Sequence, residues 1–213
     1  ITFDHVYVTL DQVQTAAKAA SGSDAAENAD SVIRLEQPMT VDLAMGDENA
    51  DPILLDSVSA PAGQYRNLAW NVVPASTGPA QGSSILLQGN AVKQGQTLPF
   101  TLKLDSKLQF KCGDFVGDER KGILKSNSDA ELEATFHFDH IFGDAEASPD
   151  EKINKGALGF EPFAQIAQGG TVALDWTNPA SAQTLSSDEN NQLKTLLSNL
   201  GHVGEGHCEA KTL

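Results

Sequence analysis

Histidine, cysteine and methionine are all scarce in this chain of 213 residues, which has five, two and two of them. The two methionines, Met39 and Met45, are too few for a methionine-rich Cu(I) carrier. The chain also has no G-x-S-x-G elbow, P-loop, Rossmann fingerprint, EF-hand loop or haem-attachment motif. These absences exclude several enzyme classes, so a role other than catalysis is favoured while an enzyme stays open.

Basic residues are also few, and 14 Lys and Arg against 29 Asp and Glu give a net charge of −15. This balance argues against binding to nucleic acid or to an anionic membrane surface, and it favours the attraction of cations. No run of 18 apolar residues is present, so no transmembrane segment is predicted. The sequence starts at Ile1 without Met, which favours a processed protein in the periplasm or outside the cell, with a lipid anchor on a removed N-terminus as one form.

The first two thirds of the chain have the pattern of short β-strands. In residues 2–10 Val6, Val8 and Leu10 alternate with polar and aromatic positions, and the same alternation recurs in residues 131–139. Turn residues separate about eight such stretches. The predicted fold is therefore mainly β, a two-layer antiparallel β-sandwich with a short C-terminal helix. One domain over 1–213 is expected, with the sandwich in 1–142 and a helical, loop-rich extension in 143–213 packed on it.

The strongest helix signal covers residues 187–200. Ser186 and Glu189 have the spacing of a capping box, and four leucines follow on one stripe. Gly201 has the position of a helix C-terminal glycine. The segment with the last two histidines is therefore predicted to start directly at the end of this helix.

Residues 52–73, "PILLDSVSAPAGQYRNLAWNVV", resemble a pattern of bacterial exported lipoproteins with prealbumin-like or immunoglobulin-like β-sandwiches. In those proteins a strand leads through a Pro-Ala-Gly-x-Tyr turn into a longer strand. Residues 2–13, "TFDHVYVTLDQV", are similar to their opening strand, and a related pattern occurs in MbnP-type periplasmic copper-binding proteins. The resemblance covers about the first 110 residues, and it implies a sandwich fold, an exported protein and metal binding.

Four of the five histidines lie in two short segments. His137 and His140 belong to "HFDH", and His202 and His207 belong to "HVGEGH". Neutral imidazole is the commonest ligand for Zn and Cu in proteins. We therefore predict that these four histidines bind one divalent ion, Cu or Zn, with Asp139 or Glu205 as a further ligand or a hydrogen-bonded neighbour of a ligand.

The spacing of the first pair limits how its two side chains can reach one ion. His137 and His140 are three residues apart, so a straight strand would direct them to opposite faces. They can converge only if the strand ends or bulges near Asp139. If the strand continues instead, His140 becomes a core histidine.

The two cysteines, Cys112 and Cys208, are 96 residues apart, and both have polar flanks. We predict that they form a disulfide, as they would in an oxidising compartment, where the bond could contribute roughly 4 kcal/mol in the chain-entropy model. In a reducing compartment they would be two separate buried thiols. Because Cys208 directly follows His207, a disulfide would also tie the second histidine segment to the sandwich.

The function predicted from these patterns is the binding, carriage or sensing of a divalent transition metal outside the cytoplasm. The expected partners are the metal ion and, in a transfer role, another exported protein. Two alternatives stay open. One is a structural or adhesive surface module with incidental histidines, and the other is a metal-dependent hydrolase with an open coordination position.

Overall fold

The structure is a computed structural model that describes residues 1–18, 32–45, 51–113, 122–204 and 206–213. Within these ranges the chain is mainly β, which confirms the predicted fold class. The strands are β1 (Thr2–Lys18), β2 (Val32–Arg34), β3 (Met39–Asp42), β4 (Gly63–Val72), β5 (Ile85–Lys93), β6 (Gln96–Leu104), β7 (Leu108–Lys111), β8 (Ile123–Leu124), β9 (Thr135–Phe136), β10 (Val172–Asp175), β11 (Gly201–Val203), β12 (Gly206–His207) and β13 (Glu209–Thr212). The helices are α1 (Asp139–Phe142), α2 (Lys152–Gly156), α3 (Glu161–Gln165) and α4 (Ser187–Leu197).

Ten of these strands form one sheet, and the other three form a small sheet. The large sheet has the order β10-β6-β5-β1-β4-β7-β13, with β2 and β3 paired to β1 and β8 paired to β4. The small sheet has the order β12-β11-β9. One described pair, β6 with β10, is parallel, so the large sheet is mixed. A parallel pair needs a long crossover, and the chain between Leu104 and Val172 is long enough to make one.

The alternating apolar residues of β1 form its buried face, as predicted. Val6, Val8 and Leu10 are at most 7% exposed and face the core. At Gln12 the backbone has φ +49°, and the register with β4 shifts between Asp11 and Gln14. This bulge lets β1 continue to Lys18, so that its first half pairs with β5 and its second half with β4.

The turn before β4 is fixed by a buried tyrosine. Tyr65 is 3% exposed, and its hydroxyl donates a 2.8 Å hydrogen bond to the backbone oxygen of Pro61. This contact satisfies the only polar atom of a buried ring and holds the preceding turn against the sheet. Residues 61–65, the Pro-Ala-Gly-x-Tyr pattern, therefore form a turn that the tyrosine hydroxyl closes.

The last third of the chain packs into the same core as the large sheet. Leu174 of β10, Leu193 and Leu197 of α4, and Phe163 of α3 are at most 2% exposed and belong to the cluster that contains Leu87 of β5. Two strands of the large sheet, β10 and β13, also come from this part. The division into a sandwich over 1–142 and an extension over 143–213 stays a prediction.

Helix α4 begins as the sequence predicts and ends three residues earlier. The Ser186 hydroxyl accepts from the Glu189 amide, and the Glu189 carboxylate accepts from the Ser186 amide at 2.8 Å. After Leu197 the chain leads into β11, and the carbonyl of Leu200, just before that strand, accepts a hydrogen bond from the His137 amide at 2.9 Å. No helix in the described part of the chain has the length and apolarity to cross a bilayer.

Candidate metal centre

The second histidine segment is a tight β-hairpin. Strands β11 and β12 pair antiparallel, with Val203 opposite Gly206 and His202 opposite His207. Gly204, at the turn, has φ +55°, a conformation that glycine adopts without strain. Residues directly opposite each other in such a pair have neighbouring side chains. The rings of His202 and His207 accordingly lie with centroids 4.0 Å apart.

The first histidine segment lies against the other edge of β11. Strand β9 pairs with it so that Thr135 is opposite His202 and Phe136 is opposite Gly201. Strand β9 is only two residues long. The chain then turns into α1 at Asp139. The strand therefore ends near Asp139, as the convergence of His137 and His140 requires. His137 and His140 converge, with ring centroids 6.3 Å apart.

Three of the four clustered histidines bring ring nitrogens together. In His140, His202 and His207 one nitrogen from each ring lies within 4.8 Å of the others. The Nε2 atoms of His140 and His202 are 3.2 Å apart. Two nitrogens bound tetrahedrally to one Zn²⁺ at 2.0–2.1 Å would be separated by about 3.3–3.4 Å. The observed separation therefore fits two ligands of one ion, and the three histidines could hold a metal ion.

The hairpin is anchored to the large sheet on two sides. A Cβ atom on Gly201 would lie 2.5 Å from the ring of Phe110, so only glycine lets β11 approach this closely. At the other end Cys208 is bonded to Cys112, which confirms the predicted disulfide. Strand β13 then pairs with β7, beginning at Glu209 opposite Lys111. The two histidines of the hairpin are thus held between two fixed points.

Burial and neighbouring histidine rings lower the pKa of His202 and of His140. His202 is 6% exposed, and burial together with the neighbouring rings of His137, His207 and His140 lowers its pKa to about 4. Burial also lowers the pKa of His140, against the opposing effect of the Asp139 carboxylate. At neutral pH His202 is therefore a neutral imidazole, the form that binds a metal ion.

The fourth clustered histidine, His137, contacts the group differently. Its ring stacks on the ring of His202, with centroids 4.2 Å apart and an interplanar angle of 22°. Its Nε2 lies 3.2 Å from the Thr135 hydroxyl, and its Nδ1 lies 4.0 Å from the Asp139 carboxylate. The prediction that His137 is a fourth ligand stays a prediction, and the contact with Thr135 is one that the sequence analysis did not identify.

Of the two acidic residues predicted beside the histidines, the structure describes Asp139 but not Glu205. Asp139 starts α1 and its Oδ1 atom is buried without a hydrogen-bond partner, but it does not belong to the group of three donors. Glu205 lies outside the described residues. Their roles as ligands or as neighbours of ligands stay predictions.

The hairpin has a sequence signal that the analysis above did not use. In residues 202–207 the two-residue turn begins with glycine, which is typical of a type II′ hairpin. A two-residue turn after Val203 places Val203 opposite Gly206, and then His202 opposite His207. This rule alone would have paired the two rings.

A family model described as Domain of unknown function (DUF4382) matches residues 2–126. No curated protein and no solved structure matches the chain. The matched range ends before His137, so the family model does not include the clustered histidines.

Proposed function

The chain belongs to the DUF4382 family, and we propose that this member binds one divalent transition-metal ion through His140, His202 and His207 in order to carry or sense it outside the cytoplasm. One observation carries the proposal, namely the three ring nitrogens within 4.8 Å of one another. For any single histidine a surface or hydrogen-bonding role would be the ordinary explanation. Here three rings from two distant segments each bring a nitrogen to one place, and the Nε2 atoms of His140 and His202, 62 residues apart in sequence, are 3.2 Å apart.

The donor set supports Cu(II) or Zn(II) as the ion. Imidazole nitrogens suit both metals, whereas Cu(I) favours thiolate and thioether ligands. The chain has no free cysteine, because Cys112 and Cys208 are bonded to each other.

The disulfide also supports the proposed compartment. Disulfides persist in the periplasm and outside the cell, and they are rare in a reducing cytosol. Trapping free thiols in intact cells with a membrane-permeant reagent would test this part. We expect no labelling of the denatured protein, and labelling of both cysteines would place the chain in a reducing compartment.

Metal binding is tested with protein that carries no histidine tag and has been treated with EDTA. Titration calorimetry with Zn(II) and with Cu(II), combined with elemental analysis, should give one equivalent of metal per chain. Replacing His202 and His207 together by Ala should abolish this equivalent. The sheet should stay folded, because the hairpin lies at its margin and the circular dichroism depends on the ten-stranded sheet.

The chain offers a matched control in His5, the one histidine outside the cluster. His5 binds the Asp42 carboxylate at 2.7 Å on the exposed surface of β1. His5→Ala should leave the metal stoichiometry at one. If the double variant also retains one equivalent with unchanged affinity, the ion is bound elsewhere. If the wild-type protein binds no metal, a structural or adhesive role is favoured.

A further inference from the structure

The three histidine donors leave a divalent ion one ligand short of the four that a tetrahedral site needs. Two side chains near the group could supply that ligand, His137 and Asp139. Both ring nitrogens of His137 are turned to other atoms, Nε2 to the Thr135 hydroxyl and Nδ1 toward the Asp139 carboxylate. His137 also contributes no nitrogen to the group of donors that lie within 4.8 Å of one another.

The solvent exposure of the three donors increases from His202 through His140 to His207. His202 is buried at 6%, His140 is intermediate and His207 is exposed. An ion held by all three would therefore be covered on the His202 side and accessible on the His207 side. His207 lies on β12, which is the edge strand of the small sheet, and β11 is its one paired neighbour among the described strands.

The charges around the three donors favour an anion as the missing ligand. Three neutral imidazoles leave the full +2 charge of the ion uncompensated. The Asp139 carboxylate is not among the donors that lie within 4.8 Å of one another, and its Oδ1 is 4.0 Å from Nδ1 of His137. The uncompensated charge therefore favours an anion as the fourth ligand.

We propose that the metal ion bound by His140, His202 and His207 keeps a coordination position open to solvent on the His207 side, and that this position binds a small monodentate anion. The inference rests on the proposed metal binding and adds that the bound ion accepts a further, exchangeable ligand. His137 then acts as a positioning residue whose ring supports that of His202. Sensing would use the exchange of ligands at this open position. Transfer of the ion to a partner would begin with a ligand entering here and would end with the breaking of the three imidazole–metal bonds.

The test uses the intact protein loaded with one equivalent of Cu(II) and sodium azide as the probe. Azide should produce a new charge-transfer absorption that saturates at one azide per copper, together with a change in the electron paramagnetic resonance spectrum. If copper binds one to one and azide changes neither spectrum, the protein itself fills the fourth position and the inference is wrong. If neither Cu(II) nor Zn(II) binds, the proposed function fails instead, so the two failures are distinguishable.

A variant of His137 provides the second arm. A phenylalanine in its place would keep a flat ring stacked on His202 but would carry no nitrogen. His137→Phe should therefore retain copper binding within about threefold and respond to azide as the wild type does. His137 is partly exposed, with 42% of its side chain accessible, so the substitution should leave the fold intact. A tenfold or greater loss of copper affinity in a folded His137→Phe protein, with one nitrogen fewer in its resonance spectrum, would show that His137 is a ligand and would overturn the inference.

Discussion

Replacing Gly201 by Ala is expected to destabilise the protein by about 2–3 kcal/mol, the upper part of the range for an overpacked core. The added Cβ would lie 2.5 Å from Cδ1, 2.9 Å from Cε1 and 3.0 Å from Cγ of Phe110. The Phe110 ring cannot move aside, because it is 1% exposed and stacks on Trp70 with centroids 5.4 Å apart. Strand β11 must therefore move away, and His202 moves with it.

The assay is urea unfolding followed by circular dichroism, with thermal unfolding as a second measurement. For a chain of this length the melting temperature should fall by about 4–12 °C. Because His202 moves away from His140, metal affinity should fall as well. Gly206→Ala is the matched control on the same hairpin, since its Cβ would only make an ordinary 3.5 Å contact with the Val203 oxygen. Equal stabilities for the two variants would refute the reasoning that Phe110 fixes the position of β11.

Three further predictions concern stability in urea. The folded-state pKa of His202, about 4, is below the ordinary value of 6.5, so the unfolded chain takes up a proton first as the pH falls. The metal-free protein should thus lose about 2 kcal/mol between pH 7.5 and pH 5 relative to a His202→Asn variant, and parallel curves for the two proteins would contradict this. Replacing Cys112 and Cys208 together by Ser should cost about 4 kcal/mol, and thiol titration of the denatured, unreduced wild type should find no free thiol. Ser186→Ala should cost about 1 kcal/mol through loss of the capping box, whereas Ser187→Ala at an exposed neighbouring position should cost less than about 0.5 kcal/mol; equal costs would argue against the cap.

Local patterns predicted the parts of the fold that depend on neighbours in sequence. The alternation of Val6, Val8 and Leu10 predicted which face of β1 is buried, because side chains of a strand alternate between its two sides. The spacing of Ser186 and Glu189 predicted the start of α4 within one residue, because both partners of the capping box lie in one helical turn. The polar flanks of the two cysteines favoured their pairing, which the structure confirms.

Features that depend on residues far apart in sequence could not be predicted from local patterns. The parallel pairing of β10 with β6 has no local signal, because the direction of a strand relative to its neighbour is set by the crossover between them. Gly201 was expected to end a helix, but it serves as a close contact on Phe110, which is 91 residues away in sequence. The convergence of the histidines depends on the register of β9 against β11, and strands of two and three residues are too short to define a register by alternation.

The Cys112–Cys208 bond anchors the hairpin and also closes part of the chain into a covalent ring. With this bond in place, residues 112–208 form a closed ring, and His137, His140, His202 and His207 all belong to it. A protease that cuts one peptide bond anywhere in the ring converts it to an open chain without releasing a fragment. The nicked protein would migrate as a single species until a reductant was added, and only then separate into two pieces. The residues of the proposed centre would thus stay in one molecule after a first cleavage, which would be an advantage for a protein exposed to extracellular proteases.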